Sequence, residues 1–380
     1  MATQVGTTGK SYVYNQITDR HLVRTASGVM YVVLMNYTDH KIEIWKSTDN
    51  GGYFTLVSGT VACALYSSCS VAIDGGSPQL LRIVYHSDIT TVKYNTFNTS
   101  SDTWGTAETV ATIVSPAGAG FSVGIALDSA NYPHVVFHEK INIGGTDYTK
   151  TRYRNKVGGV TWQTIVTIEA SANEAKNTTG APFISIDTTT GHNRKDLPQI
   201  FYATSPDNLI QAALGDFNNA TAFTVVQPGT KLGQVISAAI DPTGRTNLVF
   251  YYNGSGVYTA ILDLPDATAW NGSWNYEGNS ITGDNAASSG GLFISGTTRY
   301  LVTQNAALGV RYQVSLNYGA WSVAAILSDV ATYTAIVARG QYANDPKSSF
   351  DVIYRNSSNL YFFGLVQLTI PNTSNFMLFF

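Results

Sequence analysis

Charged residues are scarce in this chain of 380 residues, at 12% of the sequence. This is about half the share found in typical soluble domains. The formal net charge is −3, whereas a protein that binds polyanions is usually basic, so we expect no nucleic-acid partner. The sequence also lacks a run of 18 apolar residues, so we expect no membrane-spanning segment.

The sequence also has few cysteines and no recognisable export signal. The only two cysteines, Cys63 and Cys69, are too few for a disulfide framework. A local bridge is one possibility, and two free buried thiols in a chain made in a reducing compartment are the preferred alternative. The first residues have neither a basic start nor an apolar core, so we expect no signal peptide. We find no phosphate-loop, dinucleotide or zinc-finger spacing and predict no cofactor and no metal.

What the sequence has is a repeated strand pattern, because apolar and polar residues alternate with a period of two almost everywhere. The clearest strand recurs at intervals of about 50 residues, a period typical of blade repeats. Its seven copies are residues 31–36, 82–87, 134–139, 199–204, 249–253, 300–305 and 351–356.

Two further markers recur with the same period. An aromatic residue opens the fourth strand of each unit, at Phe54, Trp104, Trp162, Phe223, Trp274, Trp321 and Phe376. The first strand often ends in an aspartate whose carboxylate can accept hydrogen bonds from backbone amides two residues on, at Asp74, Asp128, Asp187 and Asp241. We interpret these aspartates as structural.

The repeat predicts an all-β fold, a seven-bladed β-propeller of four-stranded antiparallel blades, because a single blade cannot bury both of its faces. Residues 1–20 are predicted to form an N-terminal arm or closing strand. The last blade could be completed by residues 11–18 or by the apolar residues 375–380, which could instead pack against another subunit. The predicted blades are approximately 21–61, 70–114, 122–168, 183–227, 235–281, 291–328 and 333–380.

One turn carries a family resemblance. Ser47, Asp49 and Gly51, followed by Phe54 where tryptophan is usual, resemble the Asp-box turn of sialidases and other propellers. The resemblance implies a structural marker that lies away from the sialidase active site. That family also uses three arginines, a tyrosine nucleophile and an acidic proton donor. Arg24 is followed by threonine rather than the family's Ile-Pro, and no carboxylate pair can be placed, so we predict no catalytic residue.

The penultimate residue of the recurring strand varies in type from unit to unit, which is typical of a ring that lines a surface. We predict that this column and the adjacent Glu139 bind a ligand at one face or at the channel mouth. The residues are His86, His138, Glu139, Tyr252, Gln304 and Arg355, with Met35 and Ala203 in the same column. Two histidines from adjacent blades could also bind a metal, but Glu139 is the only nearby third ligand. Ordinary hydrogen-bonded histidines at strand ends are the alternative.

A basic strip follows in the third blade, where Lys150, Arg152, Arg154 and Lys156 alternate along one strand face. Burying these cations without partners would be costly, so the face is either exposed or paired with acids such as Glu139. An exposed strip would suit an anionic glycan or an acidic partner protein. A merely solvated face is the alternative.

The composition resembles that of bacteriophage tail and fibre proteins, being poor in charge and rich in Gly, Tyr, Ser, Thr and Asn. It predicts a non-enzymatic structural or adhesion protein of a virion, made in the host cytoplasm. Its partners would be host-surface glycans, other virion proteins or further copies of itself. The alternatives are a sialidase-like glycoside hydrolase acting on host polysaccharide and a scaffold that holds partner proteins.

Overall fold

A computed structural model describes the chain in ranges that together contain all of the strands discussed below. These ranges are residues 3–12, 21–57, 59–64, 68–114, 122–168, 177–205, 209–215, 223–226, 233–252, 256–262, 274–276, 290–305, 309–323, 325–328, 335–338, 340–342, 349–355 and 361–367. No helix in this described part is long and apolar enough to cross a membrane.

The described residues form β-strands throughout. The first sixteen are β1 (Thr3–Val5), β2 (Leu22–Arg24), β3 (Met30–Asn36), β4 (Lys41–Ser47), β5 (Thr55–Leu56), β6 (Val61–Ala62), β7 (Cys69–Ile73), β8 (Leu80–Asp88), β9 (Thr91–Asn98), β10 (Thr103–Trp104), β11 (Glu108–Thr112), β12 (Val123–Leu127), β13 (Pro133–Ile143), β14 (Thr146–Val157), β15 (Thr161–Trp162) and β16 (Val166–Thr167). The next sixteen are β17 (Asn177–Ile186), β18 (Pro198–Ser205), β19 (Leu209–Gly215), β20 (Phe223–Val226), β21 (Gly233–Ile240), β22 (Thr246–Tyr252), β23 (Gly256–Leu262), β24 (Trp274–Tyr276), β25 (Gly290–Ser295), β26 (Thr298–Asn305), β27 (Gly309–Ser315), β28 (Ala325–Ser328), β29 (Ala335–Ala338), β30 (Gly340–Tyr342), β31 (Ser349–Arg355) and β32 (Tyr361–Gln367).

Within the described ranges these strands form seven sheets, which we number I to VII in chain order. Each sheet is built on a meander of antiparallel strands, and β30 adds a parallel strand at the edge of sheet I. The sheets are built on β2–β6 (I), β7–β11 (II), β12–β16 (III), β17–β20 (IV), β21–β24 (V), β25–β28 (VI) and β29, β31, β32 and β1 (VII). The recurring strand identified in the sequence is the second strand of its sheet, as predicted.

Three sheets depart from the predicted four strands, because their outermost strand is divided in two. In sheet I both β5 and β6 pair with β4, in sheet II both β10 and β11 pair with β9, and in sheet III both β15 and β16 pair with β14. These are edge strands, and short edge strands leave fewer consecutive backbone groups open to pairing with another chain. The predicted opening aromatics Trp104 and Trp162 lie in the first piece.

The first strands of successive sheets contact one another, from β2 and β7 through β12, β17, β21 and β25 to β29. Buried apolar clusters fill the space between neighbouring sheets: one joins sheets I and II around Tyr31 and Tyr85, and another joins II and III around Tyr94 and Phe137. Each sheet therefore buries its face against the next, and the chain is an all-β β-propeller with antiparallel blades.

Two strands tie the start of the chain to its end. β1 pairs antiparallel with β32, with Val5 opposite Tyr361, and so takes the outermost place in sheet VII. β30, which lies between β29 and β31 in the sequence, pairs parallel with β2 of sheet I, with Val23 opposite Gln341. Of the two segments proposed to complete the last blade, residues 13–18 of the first and all of 375–380 lie outside the described ranges.

The aspartates at the ends of first strands do fix their turns, as predicted. Asp128 Oδ1 accepts hydrogen bonds from the backbone N–H groups of Ala130 and Tyr132, at 2.9 and 2.8 Å. Asp241 Oδ1 accepts them from Thr243 and Arg245, at 2.8 and 3.1 Å. One carboxylate oxygen holds the turn, which leaves the other to bind a side chain.

The turn after β4 is also held by side chains. Ser47 Oγ donates to Asp49 Oδ1 at 2.7 Å and accepts from the Gly51 N–H at 2.9 Å, while Tyr53 N–H donates to Asp49 Oδ1 at 3.0 Å. Gly51 has a φ of 86°, a conformation that glycine adopts without strain. Phe54 is buried. Membership of this turn in the Asp-box class stays a prediction.

Candidate functional site

Two neighbouring clefts open at the edge of the sheets where the first and second strands are joined by turns. Cleft I/II lies between sheets I and II and has a volume of about 540 Å³. Cleft II/III lies between sheets II and III and has a volume of about 180 Å³. Cleft II/III is lined by Arg82, Tyr94, Thr96, Glu108, Ala130, Asn131, Tyr132, Pro133, Lys156 and Gly159.

One wall of cleft II/III is organised by Asp74, which ends β7 and is buried. Its Oδ1 accepts hydrogen bonds from the N–H groups of Gly76 and Leu80, at 3.2 and 2.7 Å. Its Oδ2 accepts from Arg82 Nε and Nη2, at 3.1 and 2.9 Å. Arg82 Nη1 also donates to the Tyr94 hydroxyl at 2.7 Å. The guanidinium is therefore held in one position before any ligand arrives.

The opposite wall is organised by Glu108 of sheet II and Lys156 of sheet III. Lys156 Nζ lies 2.7 Å from both carboxylate oxygens of Glu108. Trp162 Nε1 donates to Glu108 Oε2 at 3.1 Å. The ammonium also lies 5.9 Å from the centre of the Tyr94 ring and 6.0 Å from that of Trp162, within cation–π range. This network joins two sheets across the cleft.

The rim is formed by the turn of sheet III. Asn131 Oδ1 accepts a hydrogen bond from the Gly75 N–H of sheet II at 2.9 Å. Tyr132 lies against Gly159, where an added Cβ would come within 3.2 Å of the tyrosine ring. Gly159 has a φ of 69° and so suits this position on both counts. The Tyr132 ring is consequently supported from behind by backbone.

Hydrogen-bonding capacity is left over in cleft II/III. Among the contacts of the described residues, Arg82 uses three of its five N–H groups, towards Asp74 and Tyr94. Lys156 uses two of its three N–H groups, both towards Glu108. Charged groups fixed by ion pairs, with further donors available beside aromatic rings, can bind a small polar ligand.

Cleft I/II has a different lining of small hydroxylated and backbone-rich segments. It is lined by Thr25, Ala26, Ser27, Val29, Tyr31, Lys46, Thr48, Gly75, Gly76, Ser77, Pro78, Gln79, Thr99 and Ser100. Lys46 Nζ lies 2.7 Å from Asp102 Oδ2 and 5.6 Å from the centre of the Tyr31 ring. Gln79 links the two turns, because its Oε1 accepts from the Ala26 N–H at 2.8 Å and its Nε2 donates to the Asp74 carbonyl at 2.9 Å.

The predicted ring of variable residues does not line a surface where the structure describes it. His86 and His138 are completely buried, as are Met35 and Ala203. Burial lowers the pKa of His86 to about 3, with the nearby His138 as a further cause, and the pKa of His138 to about 4. The prediction of an exposed ring is wrong for these four residues because the neighbouring sheet covers the strand end.

The rest of that ring is less completely described. Tyr252, Gln304 and Arg355 lie at the ends of β22, β26 and β31, and their side chains are outside the described part of the chain. Glu139 is half-buried and its Oε2 lies 3.3 Å from Arg152 Nε. Within the described ranges no group of three or more candidate ligands could hold a metal ion.

Lys150, Arg152 and Arg154 of the basic strip do not form a solvated face, and the prediction that they are open to an anionic ligand is wrong, whereas Lys156 lines cleft II/III. Lys150 is completely buried, with its Nζ 6.0 Å from the Tyr148 ring centre. Arg152 contacts Glu139 and donates to Thr167 Oγ1 at 2.8 Å. Arg154 donates to the backbone carbonyls of three residues: Gln163, Val110 and Trp162. Arg152 and Arg154 join strands, because the outer edge of sheet III and β11 of the preceding sheet II accept their hydrogen bonds.

Two arginines meet around Tyr318, whereas the sialidase family uses three. Arg245 and Arg299 lie 5.1 and 5.3 Å from the centre of its ring, and its hydroxyl donates to Asp241. The pKa of Tyr318 is raised to about 12, first by burial and then by its hydrogen bond to the Asp241 carboxylate. Arg82 and Arg152 belong to other sheets, so the described residues bring two arginines together here rather than three.

Sequence reasoning missed most of cleft II/III. Neither Arg82 nor Glu108 lies in a recognisable motif. The available signal was the spacing between Asp74, at the end of a first strand, and a cation on the second strand of the same sheet. The same pairing recurs in sheet III, where Asp128 Oδ2 lies 3.5 Å from His134 Nε2.

Comparisons with known proteins identify the fold. No protein-family model and no curated protein sequence matches the chain. The lectin BP39L from Burkholderia pseudomallei is 11% identical, with a TM-score of 0.60 over 94% of this chain and 95% of that one. An ulvan lyase solved with a GlcA(1-4)Rha3S saccharide is 9% identical, with a TM-score of 0.59 over 96% of each chain.

A mutant of Aleuria aurantia lectin in complex with Fucα1-6GlcNAc is 13% identical, with a TM-score of 0.50 over 82% of this chain and 96% of that one. At these identities the similarity is one of fold. It places the chain among the β-propellers, a fold shared by lectins and by polysaccharide-cleaving enzymes.

Proposed function

We propose that this chain is a non-enzymatic, glycan-binding β-propeller and that cleft II/III is a binding site for a sugar ring. The observation that carries the proposal is the convergence of Arg82, Glu108 and Lys156 on a cavity of about 180 Å³ beside the rings of Tyr94 and Tyr132. This cavity is smaller than sites for drug-sized ligands, which are roughly 300–1,000 Å³.

The chemistry of the cleft suits neighbouring hydroxyl groups. A hydroxyl both donates and accepts, so it can give its hydrogen to the Glu108 carboxylate and accept from an N–H group of Arg82 or Lys156. Hydrogen bonds to charged groups are stronger than those between neutral groups. The partly exposed ring of Tyr132 offers an apolar face for the C–H side of a sugar.

The rigidity of the cleft also supports binding. Arg82, Glu108 and Lys156 are fixed by ion pairs in the unliganded protein. Ordering flexible side chains on association costs free energy, and this cost is reduced when they are already held in place. Two of the structurally similar proteins are lectins, which makes saccharides the first ligands to test.

The test is a glycan array followed by titration calorimetry with the best monosaccharide and its oligosaccharides. Glu108→Gln and Tyr132→Ala should each weaken binding at least tenfold, equivalent to about 1.4 kcal/mol. Tyr53→Ala is the matched control, because this exposed tyrosine lies outside both clefts, and it should leave affinity unchanged. Thermal melting of each variant separates a lost contact from lost folding. Absence of saccharide binding, or full affinity in both cleft variants, would refute the proposal.

A glycoside hydrolase or lyase is the alternative, favoured by the meeting of Arg245, Arg299, Asp241 and Tyr318. Against it stands the raised pKa of Tyr318, because a nucleophilic or basic tyrosine needs its phenolate form near neutral pH. Incubation with acidic and neutral polysaccharides distinguishes the two classes. New reducing ends or unsaturated uronate absorbance would establish an enzyme, whereas unchanged polymers would agree with binding alone.

We also propose that the seven sheets are the blades of one closed ring. The contacts between first strands of successive sheets support this, as do β1 and β30, which join sheets VII and I. A crystal structure in which two successive sheets are unpacked would contradict it.

We further propose that the chain is an adhesion or structural protein of a virus particle, the role that its low charge and its content of Gly, Tyr, Ser, Thr and Asn favour. Mass spectrometry of purified particles tests this. Absence of this chain from the particles would overturn the virion role and would not affect the glycan-binding proposal.

A further inference from the structure

The two clefts share one wall, the turn that joins β7 to β8. Residues 75–79 of this turn line cleft I/II. Asp74, at the start of the turn, holds Arg82 in cleft II/III, and the Gly75 N–H donates to Asn131, also in cleft II/III. The clefts are therefore direct neighbours on the same edge of the propeller.

The ridge between the clefts is low. Its crest consists of four exposed residues, Gly75, Gly76, Ser77 and Pro78. Two of them have no side chain, and the others have small ones. A Cβ added at Gly75 would meet only Asn131 Oδ1, at 3.8 Å, so there is open space above this residue. A chain-like ligand can cross here without meeting a bulky side chain.

The clefts differ in size and in charge. Cleft I/II is three times as large, at about 540 Å³ against about 180 Å³. Threonine and serine supply six of its fourteen lining residues, and its one lysine, Lys46, is paired with Asp102. This lining suits neutral sugar units, because it offers several uncharged hydrogen-bonding groups and its one charged side chain is paired with a carboxylate.

The width of cleft I/II is fixed from both sides. Gln79 bonds the turn of sheet I through Ala26 and the turn of sheet II through Asp74. Tyr31 of sheet I donates from its hydroxyl to the Thr99 carbonyl of sheet II at 3.0 Å. The larger cleft is thus held open by described contacts between the two sheets.

We propose that clefts I/II and II/III are consecutive subsites of one groove that binds a neutral oligosaccharide across the Gly75–Gly76 ridge. The smaller cleft holds one ring through charge-assisted hydrogen bonds, and the larger cleft holds more than one ring through hydroxyl groups. This inference rests on the proposed sugar site in cleft II/III and specifies its ligand as a chain of several sugars.

The experiment is calorimetry with ladders of one to six sugars from the maltose, chitin and oligomannose series. For the preferred series, affinity should rise at least tenfold between one sugar and the longest oligomer. Ser77→Trp places a large side chain on the ridge, and Thr48→Trp fills cleft I/II. Each should abolish the gain with length while leaving monosaccharide affinity within twofold of wild type.

Val323→Trp is the matched control, because Val323 is exposed in sheet VI, and it should keep the full gain. Thermal melting confirms that each variant is folded, and the two variants act at separate positions, so one misfolded variant does not decide the result. Monosaccharide binding without any gain with length, or a gain that survives both substitutions, overturns the groove and leaves the single-ring site standing. Absence of all saccharide binding overturns both.

Discussion

Replacing Asp74 tests how far one buried carboxylate supports both the fold and cleft II/III. The side chain of Asp74 is 4% exposed and that of Arg82 is 20% exposed. Asp74→Ala removes four hydrogen bonds: two from turn amides and two from the guanidinium. It also leaves Arg82 largely buried beside Tyr94 without its counter-charge.

The expected magnitude follows from these contacts. Breaking a buried ion pair by removing one partner costs about 3–5 kcal/mol. Arg82 is partly exposed, so water recovers some of this cost, and we expect the free energy of unfolding to fall by about 3 kcal/mol. Asp74→Asn keeps an acceptor for the turn amides and loses the charge, so we expect about half of that loss.

Urea unfolding followed by tryptophan fluorescence measures the change. Asp39→Ala is the control, because Asp39 pairs with Lys10 at the surface, where ion pairs contribute little, and its unfolding midpoint should not move measurably. Asp74→Ala should also weaken saccharide binding, because Arg82 is no longer held. A loss below about 1 kcal/mol, or one equal to that of the control, would refute the view that this pair holds the turn.

Three further predictions concern the packing within and between sheets. Burial lowers the pKa of His21 and of His138 to about 4, and that of His86 to about 3. As pH falls from about 6.5 towards 4, these histidines therefore bind protons in the unfolded chain before they do so in the folded protein. The free energy of unfolding should then fall by up to about 1.4 kcal/mol per pH unit for each histidine. His138→Gln should reduce the pH slope of the urea midpoint by about one proton, and an unchanged slope would contradict this. Gly124→Ala should lower the free energy of unfolding by about 1–3 kcal/mol, because the added Cβ would lie 3.0 Å from Val136 Cγ2. A variant as stable as wild type in urea would contradict this and show that the strand can shift. Tyr31→Phe removes hydrogen bonds between sheets I and II and should cost about 1 kcal/mol in the same assay, whereas an unchanged midpoint would show that solvent replaces them.

The repeat could be predicted because it depends on local patterns. Alternation marks each strand, and the aspartate after a first strand binds amides within its own turn, so both are visible in a short window of sequence. The divided fourth strands were not predicted, because β10 and β11 differ from a single strand only in their pairing with β9.

The site was harder to predict because its contacts are between sheets. Glu108 and Lys156 are brought together only when sheets II and III pack, and neither residue has a neighbour in the sequence that indicates this. The burial of His86 has the same origin. A residue at a strand end looks exposed in an isolated sheet, and only the adjacent sheet decides whether water reaches it.

The pairing of β1 with β32 has a consequence for how the protein is made. Thr3–Val5 is synthesised before its partner Tyr361–Gln367, which lies more than 350 residues further along the chain. At a translation rate of roughly 5–20 residues per second, β1 stays without its partner strand for on the order of 20–70 s. During translation its backbone groups stay available to other nascent chains, so a chaperone that shields them should raise the yield of correctly assembled protein.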